Sequence, residues 1–297
     1  MKPKTLVIGN HSLDWGQRTI LMGIINITPD SFSGDGLVSA GDFVSRALEQ
    51  AGRFLAEGAD ILDIGGESTR PGAQVVQQDE EKRRVEPVIR AIASRFPEIL
   101  ISIDTYKAAV AESALDAGAQ IINDVWGLRA DPQMAALAAK RGAPVILMHN
   151  RSKPNDAQVE ARLGGCYIGV EYADLLADVQ RELMESVLLA RNAGIADEKI
   201  ILDPGIGFGK TVQQNLELLN RLDEICELGF PVLLGTSRKS FIGYTLDLPA
   251  DQRAAGTAAT VAIGIARGAN IVRVHDVAQM TQVARMADAI VRKTIHR

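Results

Sequence analysis

The apolar positions along this chain alternate between two periods. Stretches such as "VSRALEQAGRFLAEG" and "NLELLNRLDEICELG" carry apolar residues at i, i+3, i+4 and i+7, the stripe of an amphipathic helix. Each is followed by a glycine, a small or apolar residue, and then a short, nearly unbroken β-branched run. The unit recurs as "EGADILDIGG" from Glu57, "AGAQIINDV" from Ala117, "RGAPVILMH" from Arg141, "LGFPVLLGT" from Leu228 and "RGANIVRVHDV" from Arg267. Glycine just past a helix accepts the left-handed conformation that ends it, and a run that is apolar on both faces suits a buried parallel strand.

Three further runs, Leu21 to Thr28, Ile99 to Thr105 and Lys199 to Gly205, bring the predicted strands to eight. Eight strands alternating with helices predict an α/β fold, a single (β/α)8 TIM barrel. A doubly wound open sheet is the structural competitor. The predicted division is an N-terminal extension over 1–20, a short cap or hairpin, and one catalytic barrel over 21–297. The segment Asn150 to Gly169 has little periodicity and reads as an irregular surface loop.

Strand ends carry more information than strand number. Read to their C-terminal ends, the runs finish on Asn26, Asp63 with Glu67, Asp104, Asn123 with Asp124, His149, Asp203, Ser237 to Lys239, and Arg273 with His275. The opposite ends are plain Gly-Ala or Pro turns. In a barrel all C-terminal ends meet on one rim, where active sites are built.

Composition excludes several function classes. The 297 residues are 46% hydrophobic with a formal net charge of -5, and no basic stripe or lysine cluster suggests nucleic acid or an anionic membrane. The most apolar long run, "AAGTAATVAIGIA", stops at Arg267 after 13 residues, short of a membrane span. The N-terminal apolar patch is too short for a signal sequence, and Cys166 and Cys226 lack metal-type spacing, so reduced thiols and a cytoplasmic location are expected.

Asp104, Asn123 and Asp203, from separate strands, suit a flat heterocycle with an array of N–H donors, since a carboxylate accepts two parallel bonds and an amide both gives and receives. A single Asp or Asn after a strand is more often a helix cap, but Thr105 and Asp124 stand beside Asp104 and Asn123 and can cap instead. Ile25, Met148 and Phe208 are candidate apolar walls. Arg70, Arg238, Lys239, Arg273 and His275, with the hydroxyls of Thr69 and Ser240, are a candidate anion cradle. Asn26 is a reasonable Mg²⁺ ligand when a phosphate shares the ion. The glycines of "GIGFGK" do not have dinucleotide-fingerprint spacing.

Seven segments, "MGIINITPDSFSGDG", "GADILDIGGESTRPGA", "ISIDT", "IINDV", "DPGIGFGK", "GTSRKSFIG" and "RVHDV", together resemble the dihydropteroate synthases, folate-pathway enzymes that join a pterin diphosphate to p-aminobenzoate. The resemblance runs from about Leu21 to the end. It implies that Asp104, Asn123, Asp203 and Lys239 hold the pterin, with Met148 and Phe208 as walls. Thr69, Arg70, Arg273 and His275 would surround the diphosphate, with Asn26 near Mg²⁺. Phe32, Pro71 and Ser240 would line the p-aminobenzoate pocket. Lys239, Asp203 and Arg273 are the implied catalytic set, and a homodimer is implied. One departure is that Gly34, Asp35 and Gly36 follow Ser33 where the family has Asp-Gly-Gly, which shifts the acid by one position. The rival readings are a pterin-dependent methyltransferase, which shares the Asp104, Asn123 and Asp203 set but does not need "STRPG" and "SRKSF", and a non-catalytic pterin-binding paralogue.

Overall fold

The computed structural model describes residues 3–27, 40–68, 75–153, 156–168 and 170–294. Phe32, Thr69, Arg70 and Pro71, together with Thr28, Asp30 and Asp35, lie outside the described residues.

In chain order the described elements begin with a hairpin, β1 (Leu6–Ile8) and β2 (His11–Leu13), followed by β3 (Ile20–Asn26), α1 (Ala40–Ala56), β4 (Ile61–Gly65), α2 (Gln78–Arg95), β5 (Leu100–Asp104), α3 (Ala108–Ala117), β6 (Ile121–Asp124), α4 (Met134–Arg141) and β7 (Val145–Met148). A second hairpin, β8 (Ala157–Glu160) and β9 (Gly164–Tyr167), precedes α5 (Leu175–Asn192) and β10 (Ile200–Asp203). The chain ends with α6 (Val212–Asn220), α7 (Leu222–Cys226), β11 (Leu233–Leu234), α8 (Ser240–Leu246), α9 (Ala254–Ala266), β12 (Ile271–Val274) and α10 (Val277–Val291).

Eight of these strands form one parallel sheet in the order β10-β7-β6-β5-β4-β3-β12-β11. A parallel bridge between Leu202 and Val232 joins the two outer strands and closes the barrel. Local sequence explains the punctuation. Gly118 ends α3 at φ 119°, a left-handed conformation that a side chain would resist. Thr211 and Gln214 form a reciprocal capping box at the start of α6.

Side chains alternate across the barrel wall. Leu21, Leu62, Ile101, Ile122 and Leu202 face outward and pack with the helices in the larger apolar core. Met22, Ile61, Leu100, Ile121, Ile146, Ile201, Leu233 and Ile271 fill the interior near the N-terminal end. Leu6, Ile8 and Leu13 belong to that interior cluster, so the first hairpin plugs the bottom of the barrel. The chain after this plug is tied down as well: Thr19 donates through both its N–H and its hydroxyl to Asp288 on α10, and Arg18 pairs with Asp60.

Two expectations change. Ile25 faces the helices in the outer core, because its neighbours Ile24 and Asn26 take the opposite parity; it is not a wall of the mouth. The stretch from Asn150 to Gly169 holds the β8–β9 hairpin, with Ala157 opposite Tyr167 and Glu160 opposite Gly164. Its partners are remote in sequence. Arg253 Nη2 donates to Leu163 O at 2.9 Å, Tyr244 OH to Gly164 O, and Arg162 pairs with Asp247, so α8 and the chain after it supply the order that the local pattern lacks.

Candidate active site

The polar residues of the mouth follow from strand parity. Register aligns Asn26 with Gly65, Gly65 with Asp104, and Asp104 with Asn123, a continuous row across four strands. Asp203 stands beside Met148 across the β10–β7 pair. Asp104 and Asn123 reach Arg273 and Asp63, while their neighbours brace local turns and cap no helix. Thr105 Oγ1 accepts from Lys107 N, and Asp124 accepts from Trp126 N and Leu128 N.

Below this row lies an ionic frame. Arg273 donates from Nε to Asp63 Oδ2 and from Nη2 to Asp104 Oδ2 at 2.6 Å, while Asn123 Nδ2 donates to the same Asp63 oxygen at 3.1 Å. Val272 and Val274 take the outer face. Asp63 is 0% exposed and therefore acts only through these contacts. Among the described residues, the buried side-chain atoms of this region without a hydrogen-bond partner are Asp63 Oδ1, Ser102 Oγ and Asp104 Oδ1. Burial raises the Asp104 carboxyl to about 7, with the Arg273 guanidinium opposing and the Asp63 charge reinforcing. Asp104 therefore retains part of a proton near neutrality.

The other side of the mouth is built by the turn after β10. Asp203 Oδ1 accepts from Gly205 N at 2.7 Å, and Lys239 Nζ donates to Ile206 O while lying 4.7 Å from the Phe208 ring centre. Gly235 leaves space between them. A Cβ there would lie 3.8 Å from Lys239 Nζ and 4.0 Å from both Asp203 Oδ2 and Arg273 Cβ. Asp203, Lys239 and Arg273, the expected catalytic set, thus approach one point beside Gly235. Burial lowers the Lys239 ammonium to about 8, opposed by Asp203. Met148 is 3% exposed and Phe208 half-buried, positions suited to apolar walls.

His275 Nδ1 lies 3.0 Å from Ser237 Oγ, which also accepts from the His275 backbone N–H. The Ser237 hydroxyl thus holds both the backbone and the ring of His275 in place. Ser240 Oγ donates to Gly165 O on the second hairpin. Arg238 pairs with Asp276. Of the remaining candidates, Asn26 is close to the row: a Cβ on Gly65 would be 3.8 Å from Asn26 Oδ1 and 3.7 Å from Asp104 Oδ2. Among the described residues no group of three or more His, Cys, Asp or Glu forms a metal-binding cluster.

Sequence reasoning passed over two features. Asp63 had been noted only as a strand end, although its inward parity between Ile61 and Gly65 was a usable signal. Lys210 was seen only within a failed fingerprint, yet it is 1% exposed and bonded to His149, whose other ring nitrogen lies 3.0 Å from Glu182. Burial lowers Lys210 to about 7, with Asp203 opposing. Burial together with the Lys210 charge lowers His149 to about 3, against the pull of Glu182, so the imidazole is neutral.

Residues 22–275 match the pterin binding enzyme family. The dihydropteroate synthase of Bacillus subtilis is 50% identical over 282 residues, covering 95% of this chain and 92% of that protein. A crystal structure of the dihydropteroate synthase of Clostridium difficile in the presence of pteroic acid superposes with a TM-score of 0.85 at 47% identity, covering 94% of this chain and 99% of that one. The Xanthomonas albilineans dihydropteroate synthase with 4-aminobenzoic acid gives a TM-score of 0.85 at 40% identity, covering 97% and 98%. With the barrel, the ordered motifs and near end-to-end identity in agreement, this chain belongs to the dihydropteroate synthase family of pterin binding enzymes.

Proposed function

We propose that the barrel mouth binds 6-hydroxymethyl-7,8-dihydropterin diphosphate through Asp104, Asn123, Asp203 and Lys239 and transfers its pterinylmethyl group to p-aminobenzoate, in folate biosynthesis. The observation that carries the assignment is a buried acceptor without a donor in the mouth. Asp104 Oδ1 has no hydrogen-bond partner, and Asp203 Oδ2 and Lys239 Nζ both lie beside Gly235. An amino-imine edge supplies the missing N–H groups, and leaving them unmade in a dry pocket is costly.

In the reaction the bond between the methylene carbon and the diphosphate oxygen breaks, a carbon–nitrogen bond forms to the arylamine, and the amine loses a proton to solvent. Asp203 and Lys239 hold the pterin so that its electron-rich ring supports positive charge on the departing carbon. Ionisation ahead of attack is therefore the preferred path. An arylamine is a weak base that sheds its proton readily once alkylated, so no strong general base is required. Arg273 and His275, with Thr69 and Arg70, are proposed to face the leaving diphosphate, where stabilising developing charge contributes most. Phe32, Pro71 and Ser240 are proposed for the p-aminobenzoate pocket.

Asn26 offers one neutral oxygen at the rim, a donor that fits Mg²⁺ only when substrate phosphate oxygens complete the shell. A bound ion there would neutralise the leaving group. The chain is further proposed to act as a homodimer through α9 and α10, on which Ile263, Met286 and Ile290 are 47%, 64% and 67% exposed. A cytoplasmic location agrees with two free cysteines and, among the described residues, no helix long and apolar enough to cross a membrane. The deciding experiment is diphosphate release. Sustained turnover should require both substrates together; steady-state release with the pterin alone and no coupled product, or transfer of a methyl group instead, would overturn the proposal.

A further inference from the structure

The ammonium of Lys210 has three protons and meets three acceptors, none of them a carboxylate. Nζ lies 3.0 Å from Gly205 O, 3.0 Å from Phe208 O and 2.9 Å from His149 Nδ1. The two carbonyls are the ends of one turn, and Gly205 and Gly207 within it have φ of +69° and +85°, so few local preferences hold its shape. A Cβ on Gly205 would lie 1.8 Å from His149 O, which shows how closely this turn is pressed against the end of β7. The carbonyl between the two ends, Ile206 O, accepts from Lys239. Alternate faces of the turn are thus taken by two lysines, Lys210 from beneath and Lys239 from the mouth.

The third bond extends the brace across the barrel wall. His149 Nδ1 accepts from Lys210, so Nε2 must carry the proton and donate to Glu182 on α5, which is in turn gripped by Arg151 Nε at 2.9 Å. We infer that Lys210 is a positioning residue for pterin binding: by pinning both ends of the Gly205–Phe208 turn to His149, it sets the location of Asp203 and of the Lys239 ammonium without touching substrate. The inference rests on the pterin assignment above.

The test uses calorimetry with dihydropterin diphosphate, steady-state kinetics, and ¹⁵N spectra of histidine-labelled protein at about pH 6, where the ammonium keeps its three protons. Lys210→Met should weaken pterin binding roughly tenfold to a hundredfold, since a small misplacement of binding groups is amplified in this way. The KM for p-aminobenzoate at saturating pterin should stay within about twofold, because that pocket is not built on this turn. His149→Leu, which removes one acceptor of three, should give a smaller change in the same direction. In the wild type, His149 should appear as the neutral tautomer with its proton on Nε2. A protonated Nδ1, or unchanged pterin affinity in either folded variant, overturns the inference; equal losses for both substrates do so too, since they mean general loosening. Failure of the functional assignment is separately visible as absence of diphosphate release by the wild type.

Discussion

Replacing Asp63 by Asn tests the ionic frame beneath the mouth, because this residue touches neither bulk solvent nor, in the proposed reading, substrate. Its Oδ2 accepts from Arg273 Nε and from Asn123 Nδ2. Hydrogen bonds to a charged group contribute about 1.5 to 3 kcal/mol each. Stranding a buried ion would add several more, but Arg273 keeps Asp104 as its partner and the repulsion between the two acids disappears. We therefore expect a net loss of about 2 kcal/mol in folding stability. Loss of orientation at Asn123 and Arg273 should weaken pterin binding about tenfold, or ~1.4 kcal/mol. The more specific signature is in the pH dependence. Asp104 lies at about 7 partly because Asp63 is charged. An ionised Asp104 is the form that accepts pterin N–H bonds, so wild-type affinity should fall as pH drops through about 7, with a proton released on binding. In Asp63→Asn that fall should move to lower pH. Calorimetry in buffers of different ionisation enthalpy measures both affinity and proton release. Superimposable pH profiles for variant and wild type would refute the coupling, and an unchanged denaturant midpoint would refute the energetic role.

Asp203→Ala should cost about 2 to 5 kcal/mol of pterin affinity by leaving ligand N–H groups unpaired, and calorimetry on a folded variant that binds pterin normally would remove Asp203 from the site. Asn26→Ala should raise the Mg²⁺ concentration needed for half-maximal rate, at an expense of roughly 1 to 3 kcal/mol in the transition state, with metal-free pterin affinity retained; identical Mg²⁺ titrations would contradict this. His149 predicts an acid limb of stability. Its folded value of about 3 lies below the usual 6.5, so the unfolded chain binds the extra proton and stability is lost as pH falls through that window. His149→Gln should flatten this limb in denaturant titrations, and an unchanged slope would assign it to other groups.

The amino-acid sequence by itself determined the repeating architecture and most of the rim. Helical and strand periods are local properties, and a strand that ends on Asp104 or Asn123 beside a second polar residue already indicates which side chain turns inward. Asp203, Met148 and Lys239 were legible in the same way, and the family motifs supplied their proposed roles. Tertiary structure decided what strand parity and long-range pairing control. Ile25 faces the helices because only assembly of the barrel defines inside and outside. Arg273 meets Asp63 across 210 residues of chain, a separation at which no sequence pattern reports contact. The hairpin of β8 and β9 takes its order from partners on and after α8, and Lys210 is enclosed by carbonyls whose direction depends on left-handed glycines. Side-chain identity fixes which bonds a residue is able to make, but the closed barrel selects which of those bonds are made.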